Sequence, residues 1–289
     1  MAMTTADIVR KVRRIEIKSR KLSDHLFSGE YHSAFKGRGM SFSEVREYSY
    51  GDDVRNIDWS VTARAGSPYI KTFEEERELT VMLLIDVSHS LNFGSSETFK
   101  KDLLIEIAAV IAFSANDNKD KIGAILFTDK IEMYIPPQKG RKNVLKFIRE
   151  MLVIDPQSKE TNLNLALDYF NKVQKKKCIT FILSDFKSPD FSRPLNISGK
   201  KHDVIGIKIG DKTEKSIPNI GFISVIDPES GLMKTMDTSS IDFRRFYENQ
   251  YEIHESQTKD LFKKSGAEFV PLMTEDDFVK PLINLFKKR

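Results

Sequence analysis

Residues 81–90 read Val-Met-Leu-Leu-Ile-Asp-Val-Ser-His-Ser. Five apolar residues running straight into an acid constrain the fold more than any other stretch. A continuous apolar run of strand length fits a strand covered on both faces, and such strands sit inside layered α/β sheets. Its end carries one carboxylate and two hydroxyls, Asp86, Ser88 and Ser90. Open α/β sheets bind ligands at that edge, outside the carboxyl ends of the strands. Hard oxygens of this kind suit Mg²⁺, Ca²⁺ or Mn²⁺ better than zinc.

The rest of the chain repeats the pattern from Leu79 onward. Strands are expected at 79–86, 121–128, 131–135, 178–185, 202–209 and 267–270. Pro136-Pro137 is expected to end the third of them. Helices are expected at 97–118, 144–152, 163–173, 241–264 and 276–287. Strand–helix alternation implies a mostly parallel sheet flanked by helices. Residues 222–238 break the rhythm: Pro228-Glu229-Ser230-Gly231 between two alternating runs reads as a hairpin. Upstream, residues 28–78 have short alternating runs and turn residues, including Gly37-Arg38-Gly39, and read as a small β-rich subdomain with strands at 42–50 and 69–73. Residues 5–22 read as a helix with Ile8, Val12, Ile15 and Leu22 on one face and basic residues on the others. The division is thus 1–27 basic amphipathic helix, 28–78 β-rich subdomain and 79–289 α/β domain with the hairpin inserted.

Composition narrows the setting. The chain has 289 residues, 40% hydrophobic and 30% charged, so it builds one large domain or two modest ones. Its net charge of +4 does not by itself argue for nucleic acid. Cys178 is the only cysteine and forms no internal disulfide, which favours a reducing compartment. With no apolar leader and no run of membrane-spanning length, a cytoplasmic protein is the expectation. No G-x-x-x-x-G-K-[ST] occurs, and Gly37-x-Gly39 has Phe42 where a dinucleotide loop needs its third glycine.

A second strand end, Leu183-Ser184-Asp185, brings a second carboxylate to the same edge of a parallel sheet. Thr161 opens a helix, where it can cap the helix or ligate a cation, two roles that are compatible. Ser90 or Asn92 are alternatives as plain helix caps. His89 lies inside the motif as a nitrogen ligand out of place among oxygens. Gly51-Asp52-Asp53, Arg55, Asp58 and Arg64 read as structural ion pairs and turns, with Trp59 as an anchor.

Asp86-x-Ser88-x-Ser90 with Thr161 and Asp185 resembles the metal-ion-dependent adhesion site (MIDAS) of von Willebrand factor A domains. The ordered segments Gly37–Tyr48, Gly51–Trp59, Thr62-Ala63-Arg64 and Phe73–Glu76 resemble the bacterial "domain of unknown function 58" family. The resemblance implies a Rossmann-like A-domain fold and a cation, Mg²⁺ with Ca²⁺ or Mn²⁺ as alternatives, held by those five residues. It also implies a partner's acidic side chain completing the metal shell. The role it implies is non-enzymatic: protein interaction alongside a MoxR-type AAA+ ATPase and other A-domain proteins, in assembly or maturation of complexes. Two other readings stay open. One is a metal-dependent phosphotransferase or hydrolase, against which Ser88 stands where a second Asp is needed. The other is membrane-surface or nucleic-acid binding through the basic helix.

Overall fold

The computed structural model describes residues 5–22, 41–74, 79–95, 99–226 and 233–287. The turns expected at Gly37-Arg38-Gly39 and Pro228–Gly231, the acids Glu75 and Glu76, and the helix start at Glu97 lie outside them. The chain divides into two compact units, Met1–Ala34 with Thr80–Arg289, and Phe35–Leu79.

In the smaller unit, β1 (Ser41–Glu47) pairs antiparallel with β2 (Tyr69–Glu74). Between them a 3₁₀ turn, Val54–Asn56, leads into a helix that the residue pattern does not announce, α2 (Trp59–Ala65). Asp58 starts it by accepting hydrogen bonds from the backbone N–H groups of Ser60 and Val61. The ion pairs are local: Arg46 with Asp52, Arg55 with Asp53, and Lys71 with Asp58. Asp58 therefore pairs with Lys71 and not with Arg55 or Arg64. Trp59 is no anchor, because the capped first turn leaves it 71% exposed.

The larger unit is a six-stranded sheet in the order β10-β7-β6-β3-β4-β5. Its strands are β3 (Thr80–Asp86), β4 (Lys121–Phe127), β5 (Ile131–Gln138), β6 (Ile179–Ser184), β7 (Asp203–Gly210) and β10 (Glu268–Met273). All neighbours are parallel except β4 and β5. Helices cover both faces. On one side lie α5 (Leu163–Val173), α6 (Ser192–Lys201) and Phe262 of α7 (Ile241–Lys264), packed with Met82, Leu84 and Ile182. On the other side, Ile85 shares a small cavity with Leu104 and Ile105 of α3 (Lys100–Asp117) and Met151 of α4 (Arg141–Val153). Phe286 of α8 (Val279–Lys287) meets Phe181 edge-on on that side. A separate hairpin pairs β8 (Phe222–Ile226) with β9 (Met233–Asp237), as expected from the alternating runs. Together these make a mixed α/β fold with a mostly parallel central sheet flanked by helices.

Two departures have clear causes. β5 continues through Pro136 and Pro137 to Gln138. It is the edge strand, where a missing N–H leaves no ladder bond unmade. α3 is buried nearly all round from Leu103 to Ala115. The cover on its outer side is α1 (Thr5–Leu22), which packs on α3 and α4.

Candidate metal centre

The two halves of the sheet diverge from β3. The chain goes from β3 to β4 and β5 on one side, then returns to place β6 and β7 on the other. Such a reversal leaves a crevice at the carboxyl ends of the strands. Asp86 ends β3, and Asp185 directly follows β6.

Asp86 is fully buried. One oxygen accepts the Ser88 backbone N–H at 2.9 Å, and the other accepts the Ser184 hydroxyl at 2.6 Å. Ser88 Oγ and Ser90 Oγ lie 3.0 Å apart, both buried. Burial raises the Asp86 carboxyl, and the charge of Asp185 raises it further, to about 6 despite these hydrogen bonds. Ser90 does not cap a long helix. It lies inside a 3₁₀ turn, His89–Asn92, and α3 begins only at Lys100.

The loop carrying Thr161 is stitched to the same edge. His89 N–H donates to the Lys159 carbonyl, Asn162 N–H to the Thr128 carbonyl, and Leu163 N–H to Ser188 Oγ. Thr161 is not the helix cap: Asn162 takes that role, its side chain accepting from Leu165 N–H. The Thr161 hydroxyl is instead buried with no hydrogen-bond partner among the described residues. His89 Nδ1, in the facing turn, is likewise buried and unpartnered. An orphaned buried hydroxyl on a loop bonded to the turn after β3 is what a hard cation would satisfy, and the donor types of Asp86, Ser88, Ser90, Thr161 and Asp185 suit such an ion.

Asp185 brings in a residue that sequence reasoning missed. Its Oδ2 accepts from Lys100 Nζ at 2.9 Å, and its Oδ1 from the Lys187 backbone N–H at 3.2 Å. Lys100 is completely buried and also bonds Glu214 Oε1 at 2.9 Å, which in turn receives Lys187 Nζ at 2.7 Å. Burial pushes the Asp185 carboxyl up, but the ammonium of Lys100 prevails and holds it below its ordinary range. The sequence does carry a trace of this. A lysine in the first turn of an apolar helix opposes the helix dipole, and so needs a reason to be there.

Two more features hold the edge together. Phe186 adopts a left-handed φ of 58° immediately after Asp185, a conformation that costs a non-glycine residue about 1–2 kcal/mol. Its buried ring packs against Phe191, Phe262 and Phe269, which offsets that cost. A third strand end, Asp211 after β7, accepts from Ser95, Thr213 and Thr274. Burial works against its ionisation, yet these donors keep it well below the usual carboxylate range. They tie the loop after β3 to the ends of β7 and β10.

A family model described as "Protein of unknown function DUF58" matches residues 44–257. The chain belongs to this family. An uncharacterized protein of Mycobacterium bovis is 27% identical over 283 residues, covering 96% of this chain and 88% of its own length. Among solved structures, an aerotolerance-related membrane protein from Bacteroides fragilis superposes with a TM-score of 0.51 at 13% identity, over 73% of this chain and all of that one. The SpRpn10 VWA domain covers 72% of this chain and 95% of its own, with a TM-score of 0.41 at 11% identity. Among the described residues of this DUF58 protein, no helix is long and apolar enough to cross a membrane.

Proposed function

We propose that Asp86, Ser88, Ser90, Thr161 and Asp185 hold a divalent cation, and that the cation docks an acidic side chain of a partner protein. The observation that carries this is the Thr161 hydroxyl, buried and unpartnered among the described residues, on the loop whose Lys159 carbonyl accepts from His89 N–H. An isolated buried hydroxyl is costly, and a cation removes the cost. Mg²⁺ fits an all-oxygen set best by charge and size; Ca²⁺ and Mn²⁺ use the same donors. A cation with an open position is the largest local charge and attracts carboxylates. We read the role as binding and not catalysis: Ser184 and Lys100 hold the Asp86 and Asp185 carboxylates in place, and each keeps lone pairs for the cation. An open groove of about 550 Å³ along α5, lined by Asn162, Leu165, Asp168 and Tyr169, begins next to Thr161 and offers room for residues flanking a partner's acid. The family resemblance makes a MoxR-type AAA+ ATPase the partner to test first.

Calorimetric titration with Mg²⁺ or Mn²⁺ is expected to show one site that Asp86→Ala and Thr161→Ala each remove, while His89→Ala retains it. The ATPase is expected to be captured by the cation-loaded protein and released by EDTA. Cation binding that survives both Asp86→Ala and Thr161→Ala would sink the site. Capture unaffected by EDTA would sink the docking role.

A further inference from the structure

The chain's positive excess is concentrated in one element. Helix α1 carries seven lysines and arginines against Asp7 and Glu16, so it exceeds the whole chain's net charge of +4 by itself. Its inner face is occupied. Ile15 and Ser19 are buried, and the helix packs on α3 and α4. Its two edges are clamped by ion pairs, Lys11 with Asp102 and Lys18 with Glu106 on one side, Glu16 with Arg141 on the other. Helical spacing then leaves Arg10, Arg13, Arg14, Arg20 and Lys21 on the outward arc, all exposed and without an acidic partner among the described residues. In the middle of that arc stands Ile17, 52% exposed. The arc spans roughly 16 Å along the helix axis.

We infer that this outer face of α1 rests on an anionic phospholipid bilayer. Five unpaired cations in a row match a surface of lipid phosphates, and their attraction falls off within a Debye length. Ile17 separates a bilayer from other polyanions. An exposed aliphatic side chain ringed by guanidinium groups gains by entering the acyl boundary, whereas nucleic acid recognition uses phosphate and base contacts. Because the helix is fixed flat on the body, its cations face outward together and no folding step accompanies binding. This surface is independent of the proposed cation site.

The test is flotation of the full chain with phosphatidylcholine–phosphatidylglycerol vesicles, against phosphatidylcholine alone, at low and high salt. The wild-type protein is expected to float with the anionic vesicles only and to be released by salt. Arg10→Gln/Arg13→Gln/Arg14→Gln is expected to weaken binding on the order of a hundredfold, with an unchanged melting temperature because these side chains are exposed on the face turned away from α3 and α4. Ile17→Ser is expected to weaken vesicle binding several-fold and to leave binding to duplex DNA unchanged. The proposal is overturned if the wild type stays unbound, or if the triple variant floats as well as the wild type. Equal loss of vesicle and DNA binding in Ile17→Ser, or no loss in either, assigns the face to polyanions at large and overturns it too.

Discussion

Lys100 shows how one residue outside the proposed ligand set governs one of its carboxylates, Asp185. A buried ammonium at a helix N-terminus opposes the dipole and forfeits its hydration, so it survives only because Asp185 and Glu214 surround it. Lys100→Met keeps the volume and removes the charge, leaving Asp185 buried near Asp86 with only Lys187 to compensate it. The expected loss is roughly 3–5 kcal/mol of unfolding free energy, read from denaturant midpoints. Adding Asp185→Asn to that variant is expected to restore part of it, since the stranded charge is then gone. A cost under about 1 kcal/mol for Lys100→Met would show that the pair does not stabilise the edge. At this scale the sequence announced Asp86, Ser88 and Ser90 through adjacency alone. Lys100 and Ser184 reach their partners across 85 and 98 residues of chain, a proximity that no local pattern encodes.

Elements were legible where their pattern was periodic and hidden where neighbours set the terms. Helix α5 falls on the expected residues because Leu163, Ala166, Leu167 and Phe170 bury one face. Helix α2 was hidden: it is short, buries no side chain, and depends on the Asp58 cap. The extension of β5 past its prolines depends on a neighbour too. A Cβ on Gly123 of β4 would sit 2.9 Å from both Ile135 O and Pro137 N, at the point where the β4–β5 register shifts. Glycine there lets the proline segment close against the sheet. Gly123→Ala gains backbone entropy worth about 0.5–1 kcal/mol, yet it meets backbone atoms that cannot swing away. Net destabilisation of about 1–3 kcal/mol is expected in thermal or urea unfolding. An unchanged midpoint would mean that the edge strand yields freely.

For the whole molecule, the order β10-β7-β6-β3-β4-β5 creates the crevice, since the strands on either side of β3 belong to separate passages of the chain. A cation held by the proposed ligands would contact residues from both passages and so bind only the folded state. At a hundredfold excess over its dissociation constant it adds about 2.7 kcal/mol of stability, a rise of several degrees in melting temperature for a chain of this size. Asp86→Ala is expected to melt at the same temperature with and without Mg²⁺ or Mn²⁺. No shift in the wild type with any of Mg²⁺, Mn²⁺ and Ca²⁺ would count against the site. By itself the sequence determined the layered α/β class, the covered strands and the oxygen donors at two strand ends, because burial and alternation leave periodic traces along a chain. The tertiary structure alone decided that Asn162 caps α5 and leaves Thr161 unpartnered, that Lys100 neutralises Asp185, and that α1 covers α3 with its cations facing outward. Each of these depends on which side chains meet after the chain has turned back on itself, and contacts between distant segments leave no period to read.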